Sequence, residues 1–153
     1  MIDQVTTEGF TWGELPARFE AGTPPIVETI GLGAAIKYLN DVGLDAIAQH
    51  ERQLTAAAFE QLSQIEGLRI LGPPADRRAG LISFVVDGVA TQDISILLDQ
   101  QGVAIRAGHH CAMPLHQHLE IRSSCRASFY LYNTLDEVDQ FVAALQRVLG
   151  RLR

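Results

Sequence analysis

The sequence predicts an α+β fold: a small, mainly antiparallel sheet with helices packed on one face. Three observations carry that prediction. Long segments with helical spacing of apolar residues flank short runs with strand alternation. The order reads helix, helix, strand, strand, helix, strand, loop, strand, helix. The 153 residues are 47% hydrophobic and 20% charged, enough apolar material to bury a core in a chain of one-domain length.

The elements follow in order. Residues 1–25 have no sustained period and contain Gly9, Gly13, Pro16, Gly22, Pro24 and Pro25, which predicts an irregular arm. A helix is expected from Ile26, with Ile30, Gly33 and Lys37 at helical spacing and a stop at Asn40-Asp41-Val42-Gly43. Residues 1–43 then read as an arm and a helix that once belonged to something larger, and 44–153 as the domain proper. Leu44 to Ile65 is the longest periodic segment, with Leu44, Ile47, Leu54, Ala58 and Leu62 on one face and Gly67 closing it. Leu68-Arg69-Ile70-Leu71 and Leu81 to Val86 read as strands, the second strongly so. A helix from Thr91 or Gln92 to Gln101 follows, with Ile94, Leu97 and Leu98 inward. Val103 to Arg106 reads as a strand, Ala107 to Leu115 as a loop, and Arg126 to Tyr132 as another strand. Thr134 and Glu137 have capping-box spacing and open a last helix, about Leu135 to Leu149, with Val138, Phe141, Val142, Leu145, Val148 and Leu149 inward.

Charge and cysteine content exclude several classes. The net charge is −6 and no basic face stands out, so neither nucleic acid nor an anionic membrane is an expected partner. No apolar run approaches the roughly 18 residues of a membrane span. The N-terminal residues lack the basic and apolar regions of a signal peptide, and a cytoplasmic location is expected. Two cysteines, Cys111 and Cys125, cannot staple a disulfide scaffold and are expected as free thiols.

The segment that carries chemistry is Arg106-Ala107-Gly108-His109-His110-Cys111-Ala112-Met113-Pro114-Leu115. A thiol here follows two imidazoles and a guanidinium in a loop bracketed by glycine and proline. Positive neighbours favour thiolate, the nucleophilic form. The residue types alone fit equally well a buried cysteine beside loop histidines. A zinc site is disfavoured, because adjacent His109 and His110 are hard to aim at one metal and the loop offers a single cysteine. His116 and His118 read as exposed loop histidines, and Cys125, just before a strand, as packing.

This motif, with Cys125-Arg126-Ala127-Ser128 and Tyr132-Asn133-Thr134-x-x-Glu137-Val138-Asp139, resembles the group II cysteine desulfurases. These are the SufS, CsdA and selenocysteine lyase type within the class V aminotransferases. Arg18 to Pro24 and Gly31 to Ala35 are similar to family segments as well, so the resemblance covers essentially the whole chain. It implies the C-terminal small domain of a fold-type I pyridoxal-phosphate enzyme. Cys111 would be the nucleophile that takes sulfur from L-cysteine as a persulfide, leaving L-alanine. Arg126 would bind the substrate carboxylate and Arg106 would support the site. Thr23 would reach the cofactor phosphate of a partner subunit, implying a homodimer. His109 and His110 would support the loop. The implied acceptor is a protein of the SufE or SufU type that serves iron–sulfur cluster assembly.

The same resemblance sets a limit. Pyridoxal-phosphate chemistry needs a lysine, and the one lysine present, Lys37, reads as a solvated helix residue. In the family the cofactor lysine lies N-terminal to the region matched here. The chain alone is therefore expected to bind no cofactor and to be inactive. An expressed fragment, a split reading frame and a stand-alone protein all fit this. The alternatives to a desulfurase part are a non-enzymatic sulfur-relay or partner-binding module and a fragment of a selenocysteine lyase.

Overall fold

Alternation in Leu81–Val86 decides where the core lies: Ile82, Phe84 and Val86 are buried, while Leu81, Ser83 and Val85 are not. That is the period of a strand with one buried face. The computed structural model describes residues 1–153, which form two compact units, Met1–Gly43 and Leu44–Arg153.

In the first unit, β1 (Ile2–Val5) and β2 (Phe10–Trp12) pair antiparallel as a hairpin, followed by a 3-10 turn at Ala17–Phe19 and by α1 (Ile26–Val42). The hairpin corrects the expected irregular arm. Every residue of the two strands is exposed; β1, Ile2-Asp3-Gln4-Val5, does not alternate, and the alternation Phe10-Thr11-Trp12 in β2 is only three residues long. The Phe10 and Trp12 rings meet edge to face with centroids 4.8 Å apart. α1 matches its expected bounds and ends at Gly43, whose φ of 95° few other residues adopt. It buries no residue, although Ile26, Val27, Ile30, Leu32, Ile36 and Tyr38 lie all round it. A helix that is apolar on every side is one suited to an interior.

The second unit contains α2 (Leu44–Leu62), β3 (Leu68–Leu71), β4 (Leu81–Val86), α3 (Thr91–Asp99), β5 (Arg106–Gly108), α4 (Met113–His118), β6 (Ser124–Ser128) and α5 (Leu135–Leu152). The sheet order is β3-β4-β6-β5 and every pairing is antiparallel, so the α+β expectation holds. Residues of α2, α3 and α5 form one core with the buried side of the sheet. Phe84 is central: it lies between Ile70 and Cys125 on the flanking strands and 6.3 Å from the Phe141 ring. The inward residues expected of the last helix are all buried. Its capping box forms as expected, with Glu137 N donating to Thr134 Oγ1 at 3.2 Å and Thr134 N donating to the Glu137 carboxylate at 2.9 Å. The Thr134 amide, then the Asn133 side chain, hold the Glu137 carboxyl below its ordinary value. No helix is long and apolar enough to cross a membrane.

Four details differ from expectation. Leu44 is exposed, one turn before the buried stripe of α2 begins at Ile47. β5 starts at Arg106, because Val103 and Ile105 spend their side chains packing on the core before strand pairing begins. β6 runs from Ser124 to Ser128, two residues earlier than expected; a turn at Tyr130–Asn133, with Asn133 N donating to Tyr130 O, ends the alternation. The expected loop 107–115 contains the start of α4, a short helix with Pro114 near its N-terminus.

Candidate active site

The side of the sheet away from the core carries the site. Along β6, Cys125 and Ala127 face the core, so Ser124, Arg126 and Ser128 point the other way. Arg126 lies directly across from Ser83 on β4 and from Arg106 on β5. Two guanidinium groups thus occupy directly opposed cross-strand positions, an arrangement that destabilises a sheet. Arg126 Nε is buried and has no hydrogen-bond partner.

From β5 the chain enters the cysteine loop. His110 and Cys111 have φ of 51° and 59°, a left-handed conformation uncommon for residues with a side chain. Three contacts hold the turn. Ala112 N donates to His109 O at 2.8 Å, His110 Nε2 donates to Ser124 O at 2.9 Å, and His116 Nδ1 donates to Ala112 O at 3.0 Å. A cavity of about 510 Å³ opens beside the loop, lined in part by His110, Ala112, His116, Ser124 and Arg126, with Leu115 and Leu119 supplying apolar wall.

The structure therefore brings Cys111, His109, His110, Arg106 and Arg126 to the β5–α4–β6 end of the second unit. Thr23 belongs to the first unit, exposed in the segment before α1. The two thiols are both free and have opposite surroundings: Cys111 is exposed and Cys125 is fully buried. Cys125 sits inside β6 rather than before it, and its Sγ donates to Thr91 O at 3.5 Å. Desolvation pushes its thiol up to about 12, so it stays protonated and inert near neutrality. Iodoacetamide should thus label the native chain on Cys111 alone, with Cys125 reacting only after denaturation. Peptide mass mapping checks this, and prompt labelling of Cys125 would contradict its burial.

Two residues, His116 and Ser124, escaped the sequence reading. His116 is buried, 5% exposed, rather than an exposed loop histidine, because α4 turns it onto Ser124 of β6, itself 2% exposed. His118, on the same helix, is exposed as expected. No three His, Cys, Asp or Glu side chains converge as a metal-ligand set.

A small α+β domain with an exposed cysteine on a tethered loop, next to an arginine pair, is the class of protein these features define. The chain belongs to the aminotransferase class-V family, whose profile matches residues 1–141. It is 52% identical to a probable cysteine desulfurase of Staphylococcus aureus (strain COL) over 147 residues, which is 96% of this chain and 36% of that protein. Its structure is similar to that of the Escherichia coli cysteine desulfurase CsdA in an S-sulfonic acid form: TM-score 0.88, 36% identity, 100% of this chain and 38% of that one. The apo cysteine desulfurase of Thermococcus onnurineus NA1 gives a TM-score of 0.86 at 38% identity, covering 99% of this chain and 38% of that one. The chain spans little more than a third of the length of these relatives.

The family is pyridoxal-phosphate dependent. The residues present do not fit that cofactor by themselves. It requires a lysine amine, and Lys37 lies exposed on α1 with Nζ 2.6 Å from Asp41 Oδ2.

Proposed function

We propose that this chain is the sulfur-accepting part of a cysteine desulfurase whose cofactor lysine is supplied by the rest of the polypeptide. The observation that carries the reading is the exposed Cys111 on a tethered left-handed turn, close in the fold to the opposed Arg106 and Arg126. Arg126 offers the L-cysteine carboxylate a planar fork of donors, which suits a bidentate pair. That anion also relieves the repulsion between the two guanidiniums. Cys111, as thiolate, attacks the substrate sulfur. An S–S bond forms as the C–S bond breaks, the carbon keeps the bonding electron pair and takes up a proton, and alanine leaves. One sulfur atom has then moved from L-cysteine to a Cys111 persulfide.

A thiol on an acceptor protein of the SufE or SufU type collects the terminal sulfur for iron–sulfur cluster assembly. The working enzyme is a cytoplasmic homodimer in which Thr23 reaches the cofactor phosphate bound by the partner subunit. Exposed apolar residues all round α1 support a chain that functions inside a larger body.

The test replaces the matching segment of the S. aureus enzyme with these 153 residues. With L-cysteine, the chimera should release alanine and carry one added sulfur atom on Cys111 by mass spectrometry; Cys111→Ser should do neither. The isolated chain should retain no stoichiometric pyridoxal phosphate after gel filtration and release no alanine. Sulfur found on Cys125, or alanine release unaffected by Cys111→Ser, would overturn the reading.

A further inference from the structure

His116 is the one buried histidine of the chain, and the sulfur transfer described above makes no use of it. Its two ring nitrogens are both engaged. Nδ1 lies 3.0 Å from the Ala112 carbonyl, which can only accept, so Nδ1 carries the proton. In the neutral ring Nε2 is then the acceptor, and the Ser124 hydroxyl at 3.1 Å donates to it. Ser124 is used twice, because its backbone carbonyl accepts from His110 Nε2 at 2.9 Å.

The residues on either side of Cys111 are therefore both fastened to one residue of β6. His110, before it, is held at the Ser124 carbonyl. Ala112, after it, has a carbonyl that accepts from both the backbone N of His116 at 3.1 Å and its ring Nδ1 at 3.0 Å, and the ring carries that hold on to the Ser124 hydroxyl. Cys111 is the unfastened position between two tethers. Consecutive left-handed residues at 110 and 111 persist only where their surroundings over-determine them, and these two tethers supply that constraint. The His109 ring packs edge-on against His116 with centroids 5.5 Å apart, closing the cluster from a third side.

We propose that His116 is a positioning residue: with Ser124 it forms a clamp that sets the conformation of the Cys111 turn and hence the aim of the sulfur. The proposal rests on Cys111 being the sulfur acceptor, yet its first test does not depend on that role. In the native chain, His116→Leu should speed hydrogen exchange of the Ala112 amide, bonded to His109 O, by about tenfold or more, the scale of one lost hydrogen bond. The amides of Ile82 and Phe84 in β4 should be unchanged. His116→Asn places an amide donor near the position of Nδ1 but nothing at Nε2, so it should recover only part of the protection that His116→Leu loses at Ala112. Ser124→Ala, which removes only the hydroxyl tether, should also loosen Ala112.

In the chimera, His116→Leu should lower kcat with KM for L-cysteine unchanged, and His116→Asn should restore part of it. Exchange at Ala112 that is unmoved by His116→Leu, or that rises together with Ile82 and Phe84, overturns the clamp; so does a His116→Asn variant no better protected at Ala112 than His116→Leu. Should His116→Leu not fold, His116→Asn and Ser124→Ala still decide: each breaks the link between Nε2 and the Ser124 hydroxyl, so both should loosen Ala112 to a similar degree, and parent-like exchange in either overturns the clamp. An inert Cys111 in the chimera would remove the sulfur-transfer reading while leaving the exchange result intact.

Discussion

Truncating Phe84 to alanine is expected to destabilise the second unit by about 3–5 kcal/mol, the range for deleting a buried aromatic ring. Small domains have total stabilities of roughly 5–15 kcal/mol, so a large part of the folded margin goes with one side chain. The position explains the size. Phe84 is fully buried on the strand that pairs with both β3 and β6, between Ile70 and Cys125, and its ring faces Phe141 of α5. Strands on both sides and a long helix above fix the walls of the cavity, so little collapse can offset the loss. Phe84→Leu, which keeps most of the volume, should cost much less. Urea denaturation checks this: the midpoint should drop with the slope unchanged. A loss below about 1 kcal/mol for Phe84→Ala would mean that the core is not organised around β4 as described.

Much of this unit was legible in the sequence, for a physical reason. Wherever one face of an element is buried, selection for burial writes a period into the chain. α5 shows it best: all six residues expected inward are buried, and Thr134 and Glu137 close the capping box that their spacing announced. The alternation of Leu81–Val86 is equally direct. The hairpin at 2–12 was not legible, because β1 does not alternate and the alternation of β2 spans only three residues, too short to read as a period. The start of β5 slipped because Val103 and Ile105 pack on the core without pairing, which looks in sequence like a strand, and β6 ended early because a turn at residues 130–133 interrupts the alternation.

The site divides along the same line. Cys111, His110, Arg106 and Arg126 sit in a motif that the sequence displays openly. What the sequence could not display is who faces whom. That Arg106 opposes Arg126 depends on a register fixed by the β5–β6 pairing. That His116 reaches Ser124, eight residues on, depends on a six-residue helix folding back over β6. One histidine in a helix of six residues carries no periodic signal of burial. The available clue was weaker: four residues separate His116 from Ala112, one helical turn, which aims its ring at that carbonyl.

The arginine pair allows a prediction in which two effects take opposite signs. In the chimera, Arg126→Met should reduce kcat/KM for L-cysteine by about 10²–10³-fold, the loss expected when one member of a desolvated charge-assisted pair is removed. Arg126→Lys should recover only part of it, because a point charge cannot reproduce the planar fork. Stability should move the other way. Arg126 stands directly across from Arg106, and its Nε is buried without a partner. Methionine keeps much of the stem's apolar volume while ending the repulsion and the unmet hydrogen-bonding demand. The second unit should therefore gain about 1–2 kcal/mol, the scale of an orphaned donor. An arginine kept for packing or for an internal ion pair would lose stability when replaced, and would take activity down with it. An arginine kept for an anionic substrate holds its strain until that substrate arrives. Denaturation of the isolated chain and kinetics of the chimera separate the two: a less stable Arg126→Met variant, or kcat/KM within tenfold of the parent, would remove Arg126 from the substrate site.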